Sequence, residues 1–336
     1  MFLEVLRLGF KYLLLALMAA AGLSQLSPTN RAGVAAYRPV MIESGHYRQS
    51  WFVSIDMADH QTGYLAGREG LILRTGDGGR SWQELDPFLP GERHWLRDIS
   101  ATSAELAWVV GNQGLVRKTH DGGRTWVDQS LTESVDLLAI DALNSNNAMI
   151  AGSEGVIYRT GDGGKSWQRQ FAGLSDHLFA IKMLDENVCV AVSGHGRIIR
   201  SDDGGKTWQL TGDFQRRALH SITKADDQTI LAVGEKGLIV KSTDGGLSWS
   251  EIRSPYCRML LSVEAVDRRQ IWVAGADGTV MKSNDGGQTW QMQRTGVDHF
   301  LYSIKASRDG RLFAVGGNGC LVASFDAGKT WRQSVQ

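Results

Sequence analysis

The sequence predicts an all-β chain folded as a seven-bladed β-propeller built from four-stranded repeats. Three observations carry that prediction. An eight-residue phrase ending in Trp occurs seven times, and its Trp residues are spaced by 44 residues once and by 41 residues five times. Between the phrases lie short apolar runs bounded by Gly and Asp, and no helical period appears after the first 26 residues.

Composition narrows the field first. The 336 residues carry 36 Lys+Arg against 36 Asp+Glu, so the formal net charge is zero. A dedicated nucleic-acid binder is usually strongly basic, and this balance argues against one. Hydrophobic residues are 42% of the chain, enough for a sizeable core. The surplus lies in 40 Gly and 11 Trp against only 5 Pro.

Residues 1–24 read as a secretory signal. Arg7 and Lys11 precede an apolar run, and small or polar residues Gly22, Leu23 and Ser24 follow it. Residues 13–26 are too few to span a bilayer, which needs about 20 apolar residues. Cleavage is expected near Ala21 or Ser24, the rival reading being an uncleaved anchor with the same domain outside the membrane. Either places the protein in the periplasm or at the outer face of the cytoplasmic membrane, peripheral to the membrane at most once the leader is removed. Cys189, Cys257 and Cys320 have neither disulfide nor metal spacing and are expected as small buried hydrophobes.

Residues 25–45 form an N-terminal segment, and residues 39–44 within it are a candidate clasp strand for the last blade. The propeller occupies residues 46–336. Each repeat offers a first strand such as Leu137-Leu138-Ala139-Ile140 and a second such as Ile230-Leu231-Ala232-Val233. A third follows, such as Val156-Ile157-Tyr158, and a fourth starts at the Trp. Which terminus supplies which outer strand of the closing blade stays open at this level.

The phrase, Ser/Thr-x-Asp-x-Gly-x-Ser/Thr-Trp, is an Asp-box. It pairs Asp77 with Trp82, Asp121 with Trp126, Asp162 with Trp167 and Asp203 with Trp208. It then pairs Asp244 with Trp249, Asp285 with Trp290 and Asp326 with Trp331. Each carboxylate is expected to accept turn N–H groups, the Gly pair to take positive φ, and the Trp to plug the space between blades with its indole N–H on a carbonyl. One carboxylate per turn makes no metal site, and no metal or other cofactor is expected. The cations before the boxes, Arg74, Lys118, Arg159, Arg200, Lys241 and Lys282, are expected to cover Trp rings or carbonyls along the outer blades, with Ala323 breaking the series.

Function is expected where the repeat is broken, in the loops feeding the innermost strands. These loops carry Arg93, His94, Trp95, Arg97, His177, Arg216, Arg217, His220, Arg258, His299 and Tyr302. Converging on one mouth, they would make a locally basic, aromatic-edged surface suited to an acidic protein segment or another anionic ligand. No catalytic residue is assigned. The runner-up is a glycan-active or glycan-binding, sialidase-like propeller using the same mouth, with Tyr302 or Tyr256 as the nominal nucleophile. Its carboxylates there would be Asp98, Asp136, Asp176 and Asp298, which form no recognisable motif.

The run from Gly152 through Gly155, Arg159 and Asp162 to Trp167, repeated seven times behind a leader, resembles the photosystem II stability and assembly factor family of Asp-box (BNR-repeat) propellers. The resemblance covers about residues 46–336 and points to a bacterial exported member. It implies a seven-bladed, non-catalytic scaffold for a nascent membrane protein or transport complex, with an arginine-rich partner face. Photosystem work itself does not follow from the resemblance.

Overall fold

A computed structural model describes residues 50–86, 88, 94–307 and 309–333. The leader, the candidate clasp and Arg93 lie outside these residues. The described chain forms seven antiparallel sheets of four consecutive strands each. Blade 1 comprises Phe52–Met57, Gly63–Gly67, Ile72–Thr75 and Gln83–Leu85. The innermost strands of blades 2 to 7 are Leu96–Ala101, Leu137–Ala142, Leu178–Met183, Leu219–Lys224, Leu260–Ala265 and Leu301–Ala306. Blade 7 is completed by Leu312–Gly316, Leu321–Ser324 and Arg332–Gln333, so residues 301–333 supply all four of its strands. The ring therefore closes between described residues by side chains packed across the blade 7–blade 1 seam.

The core is seven seams rather than seven separate blades. Every apolar cluster joins two neighbours: Phe52, Ile55, Leu65 and Trp82 of blade 1 pack with Phe313 and Val315 of blade 7, and the same registry recurs around the ring. The box Trp of each blade meets the second strand of the preceding one. Trp82 meets Phe313 at 6.2 Å and 83°, Trp167 meets Trp108 at 5.7 Å and 78°, and Trp331 meets Trp272 at 6.2 Å and 72°. These edge-to-face contacts are the favoured aromatic geometry.

The indole N–H differs from expectation. Trp208 and Trp249 donate to the carbonyls of Gly205 and Gly246 in their own boxes, at 2.9 and 3.2 Å. The shielded Nε1 of Trp82, Trp126, Trp167, Trp290 and Trp331 reaches no acceptor among the described residues. Ring packing across the seam, not the N–H, fixes how these indoles sit.

Each box carboxylate is tied into its own turn. Thr160 Oγ1 donates to Asp162 Oδ1 (2.8 Å) while accepting from Gly164 N (2.8 Å); Ser166 N and Oγ donate to the two Asp162 oxygens at 3.0 and 2.6 Å. The Ser166 hydroxyl and amide, then the Thr160 hydroxyl, hold this carboxyl down at about 2. Asp203, Asp285 and Asp326 are held at the same level by the equivalent bonds. The Gly pairs take positive φ, and in the last box Ala327 adopts φ 60° in place of a Gly.

The cation series bridges seams. Lys118, itself buried, donates to Gly163 O (3.0 Å) and Ser145 O (2.7 Å) of the next blade and lies 3.9 Å over Trp108. Arg159, Arg200, Lys241 and Lys282 likewise reach the box carbonyls of Gly204, Gly245, Gly286 and Ala327. At the closing seam, where Ala323 has no cation to offer, Arg311 of blade 7 donates from Nη1 to His60 O of blade 1. Its guanidinium occupies the space a Cβ on Gly78 would need.

Cys189 and Cys320 are buried, and burial pushes their thiols up to about 12 and about 11. Cys257 is exposed, against expectation, because it lies in the loop feeding blade 6 rather than in a strand.

Candidate functional site

The hairpins joining first to second strands, and the boxes, share one face of the ring. The loops feeding the innermost strands share the other, together with the turns joining second to third strands. Each of those turns is tied to the residue just before an innermost strand: Arg68 N donates to Trp51 O (2.9 Å), Asn112 N to Trp95 O (3.0 Å), Gly194 N to His177 O (2.9 Å) and Gly317 N to Phe300 O (3.2 Å). This bond places two residues per blade at the mouth, the one before the strand and the second one within it. In blades 7, 1 and 2 these are Phe300 and Tyr302, Trp51 and Val53, Trp95 and Arg97. In blades 4 and 5 they include His177, Phe179 and His220.

The sequence-selected residues therefore share a face but divide into separate groups. Tyr302 stacks on Trp51 (5.8 Å, 21°) and on Phe300 (6.2 Å, 13°), and burial pushes its phenol above the ordinary value. Arg97 lies 5.8 Å over Trp95 and donates from Nε to Asn112 Oδ1 at 2.8 Å. His94 packs on Phe88 at 4.5 Å. Across the mouth, His177, Phe179 and His220 form a continuous stack, with centroids 6.4 and 5.4 Å apart. Burial lowers the His177 imidazole.

The remaining arginines do not converge on the mouth as a bare basic cluster. Arg217 makes a bidentate pair with Glu251 at 2.8 and 2.6 Å, turned toward the outer strand of blade 5. Arg258 is paired with Asp277 at 2.8 Å, and His299 with Asp298 at 3.3 Å. Arg216 sits exposed at φ 63° beside a cavity of about 560 Å³. That cavity is also lined by Asp176, His195 and Arg197. There the buried Asp176 takes Ser193 Oγ (2.9 Å), His195 Nδ1 (2.9 Å) and Arg197 Nη1 (3.3 Å). Ser193, the one departure from the turn Gly, thus replaces a glycine with a side-chain tie to the feeding loop.

Sequence reasoning missed Arg68, Trp51, Phe300 and Phe179. Arg68 lies 4.2 Å over Trp51 and 5.1 Å over Trp95, in the centre of the aromatic crescent of blades 7, 1 and 2. Aligning the turns shows the signal, since Asn112, Ser153, Gly194, Glu235, Ala276 and Gly317 hold the same column and none is basic.

The nominated mouth carboxylates are held by the fold. Asp98 accepts from Ser54 Oγ (2.7 Å) and Ile140 N (2.9 Å), and Asp136 from Gln113 N (3.3 Å). Asp98 belongs to a girdle in which one blade's inner strand satisfies free N–H groups of the next. Asp56 takes Ala101 N, Asp141 takes Met183 N, Ser221 takes Val263 N, Ser262 takes Ile304 N and Ser303 takes Ile55 N. At the hairpin end of the channel, a cavity of about 660 Å³ is lined by the carboxylates Asp56 and Glu264, with Asp59 and Asp309. Lys305 Nζ lies between Asp56 and Glu264 at 3.3 and 3.2 Å. Burial raises the Glu264 carboxyl. Burial alone would lower Lys305, but Asp56 and Glu264 hold its ammonium above the ordinary value. Among the described residues no three His, Cys, Asp or Glu side chains group as a metal site.

Known proteins share this architecture. A solved structure described as YCF48 bound to D1 peptide is 26% identical, superposes with a TM-score of 0.70, and covers 86% of this chain and 96% of its own. YCF48 from Cyanidioschyzon merolae gives 23% and 0.69, covering 84% and 97%. A GH74 xyloglucanase from Xanthomonas campestris gives a TM-score of 0.72 at 13% identity, covering 89% of this chain and 56% of its own, a likeness of fold alone. No curated protein matches the sequence. Residues 46–306 match the family described as photosynthesis system II assembly factor YCF48, and the chain belongs to that family.

Proposed function

We propose that this protein is an exported, non-catalytic assembly factor whose mouth face captures a peptide segment of a membrane protein. Family membership carries the reading, and the peptide-bound relative at 26% identity supports a peptide as the ligand class. The mouth is suited to that task. Its half-buried aromatic rings, Phe300, Tyr302 and Trp95, flank the buried Trp51 and offer rigid apolar area interleaved with guanidinium groups, the residue types that dominate protein–peptide anchors. Export rests on the leader-like residues 1–24, and the proposed location is the periplasm or the outer face of the cytoplasmic membrane.

The hydrolase alternative is not adopted. It calls for an acid and a base flanking a sugar at the mouth. The close carboxylate pair, Asp56 and Glu264, instead sits at the opposite end of the channel with Lys305 between its members, where a sugar ring would have to lie.

In-cell crosslinking and pull-down of the full chain tests the proposal. A membrane protein should be captured, and changing Arg97 to Glu together with Trp95 to Ala should cut capture about tenfold or more. Equal capture by that variant overturns the mouth as the docking face. Retention of residues 1–24 on a cytoplasmic protein overturns export.

A further inference from the structure

We propose that Arg68 is the anchor of the mouth and binds an acidic side chain, Asp or Glu, of an extended peptide crossing the aromatic crescent. This deepens the peptide-capture reading and rests on it.

Nε and Nη2 of Arg68 are shielded from solvent and donate to no acceptor among the described residues. These two atoms form one edge of the guanidinium, the fork that matches the two oxygens of a carboxylate. A shielded donor without an acceptor is destabilising, so its retention calls for an explanation. Four other arginines of this face have acceptors: Arg97 has Asn112, Arg197 has Asp176, Arg217 has Glu251 and Arg258 has Asp277.

The surroundings point to an anion from outside the chain. Two guanidinium groups share the Trp95 ring, Arg68 at 5.1 Å and Arg97 at 5.8 Å. Like charges placed together over one ring are relieved by an anion, and low local polarity strengthens that contact. Burial, with repulsion from Arg97 and only partly offset by Tyr302 and Glu69, holds the Arg68 guanidinium below its ordinary value. Tyr302 and Phe300, stacked beyond the buried Trp51, on one side and Trp95 on the other continue the half-exposed aromatic surface past Arg68 in both directions. A chain running through, with its acidic side chain pointing down, uses both flanks. A chain ending at Arg68 would leave one flank uncovered, which is why the occupant is a side-chain carboxylate.

The test reads Arg68 directly in the intact protein by nitrogen-15 NMR of arginine Nε–H groups. The Arg68 resonance is assigned by its loss in Arg68→Lys, with Arg68→Gln as the second variant. Three probes are titrated: acetyl-Ala-Glu-Ala-amide, acetyl-Ala-Gln-Ala-amide, and acetyl-Ala-Gln-Ala with a free C-terminus. The expected result is a saturable downfield shift of Arg68 with the Glu peptide and none with the amidated Gln peptide. No shift with the Glu peptide, or an equal shift with both amidated peptides, overturns the inference. A response confined to the free C-terminus shows terminal-carboxylate recognition and overturns the side-chain assignment. In cells, Arg68→Lys, which keeps the charge and loses the fork, should reduce partner crosslinking about tenfold. An NMR response without cellular capture defeats the assembly-factor reading but not the Arg68 site. Capture without an NMR response does the reverse.

Discussion

The seven seams and the mouth obey different rules. At a seam, the same contacts recur every 41 residues: a box Trp on the preceding blade, a cation on the next blade's box carbonyl, a polar inner-strand side chain on a neighbour's N–H. At the mouth no two blades agree, and the paired positions run from Phe300 and Tyr302 through Trp95 and Arg97 to His177 and Phe179. Repetition marks what the ring needs in order to close; variation marks what it presents. The closing seam shows the rule under stress. Ala323 drops the cation, yet Arg311 restores the bridge from a different strand connection.

The largest expected effect comes from breaking a seam. Trp272→Ala removes a ring that is 1% exposed and in edge contact with Trp331. It should cost about 3–5 kcal/mol in denaturant unfolding, the range for deleting a buried Trp. A cost below about 1 kcal/mol would show that seams do not carry the stability. A mouth change provides the contrast. Arg217→Ala removes a partly exposed ion pair and should alter stability by less than about 1 kcal/mol.

Next in size is the closing seam. Arg311→Ala leaves His60 O without its donor and opens space beside Gly78. The expected loss is about 1–2 kcal/mol, the scale of one charged hydrogen bond. If closure depends on this bridge, Arg311→Ala should lower the melting temperature more than Lys241→Ala at an interior seam. Equal losses would mean that the ring treats all seams alike.

How much was legible in the sequence follows the same division. Asp162 and Trp167 could be read because each role recurs seven times, and repetition makes a residue's job visible without coordinates. The cation series was legible as a column, and Lys118 meets the carbonyl expected of it. What escaped was single. Arg68 stands in a turn position with no basic counterpart in the other blades, and Trp51 precedes the first box and so fell outside the repeat as counted. The expected convergence of arginines failed for a physical reason. Glu251 and Asp277 lie on an outer strand and a turn that sequence spacing did not place beside Arg217 and Arg258. Loop charge was visible in the sequence, but its partners were not.

A smaller effect, with the opposite sign, is expected from the last box. Ala327 holds φ 60°, a left-handed conformation that costs an L-residue about 1–2 kcal/mol, where six other boxes use Gly. Ala327→Gly relieves that strain but gives the unfolded chain more freedom. The net gain should be about 0.5–1 kcal/mol in thermal or denaturant unfolding. A loss would show that the Ala327 methyl, which a Cβ added to Gly310 would meet at 3.3 Å, does more than tolerate its place.

The smallest single-site effect is a matter of pH. The Asp162 carboxyl is held at about 2 in the folded chain and returns to the ordinary carboxylate value on unfolding. A depressed folded value means that the unfolded state binds the proton more readily. The contribution is therefore complete above about pH 4 and is lost as pH falls toward 2. Asp162→Asn should flatten the acid limb of the stability profile: the melting temperature should fall slightly at neutral pH, where the contribution is complete, and stay unchanged near pH 2. The same substitution in Asp203, Asp285 and Asp326, whose carboxyls sit at the same value, should add nearly independently, since their boxes belong to different blades. Mouth variants such as Arg68→Gln should leave this acid limb untouched. A shared response would mean that the boxes and the mouth are coupled through the blades rather than being separate regions of one ring.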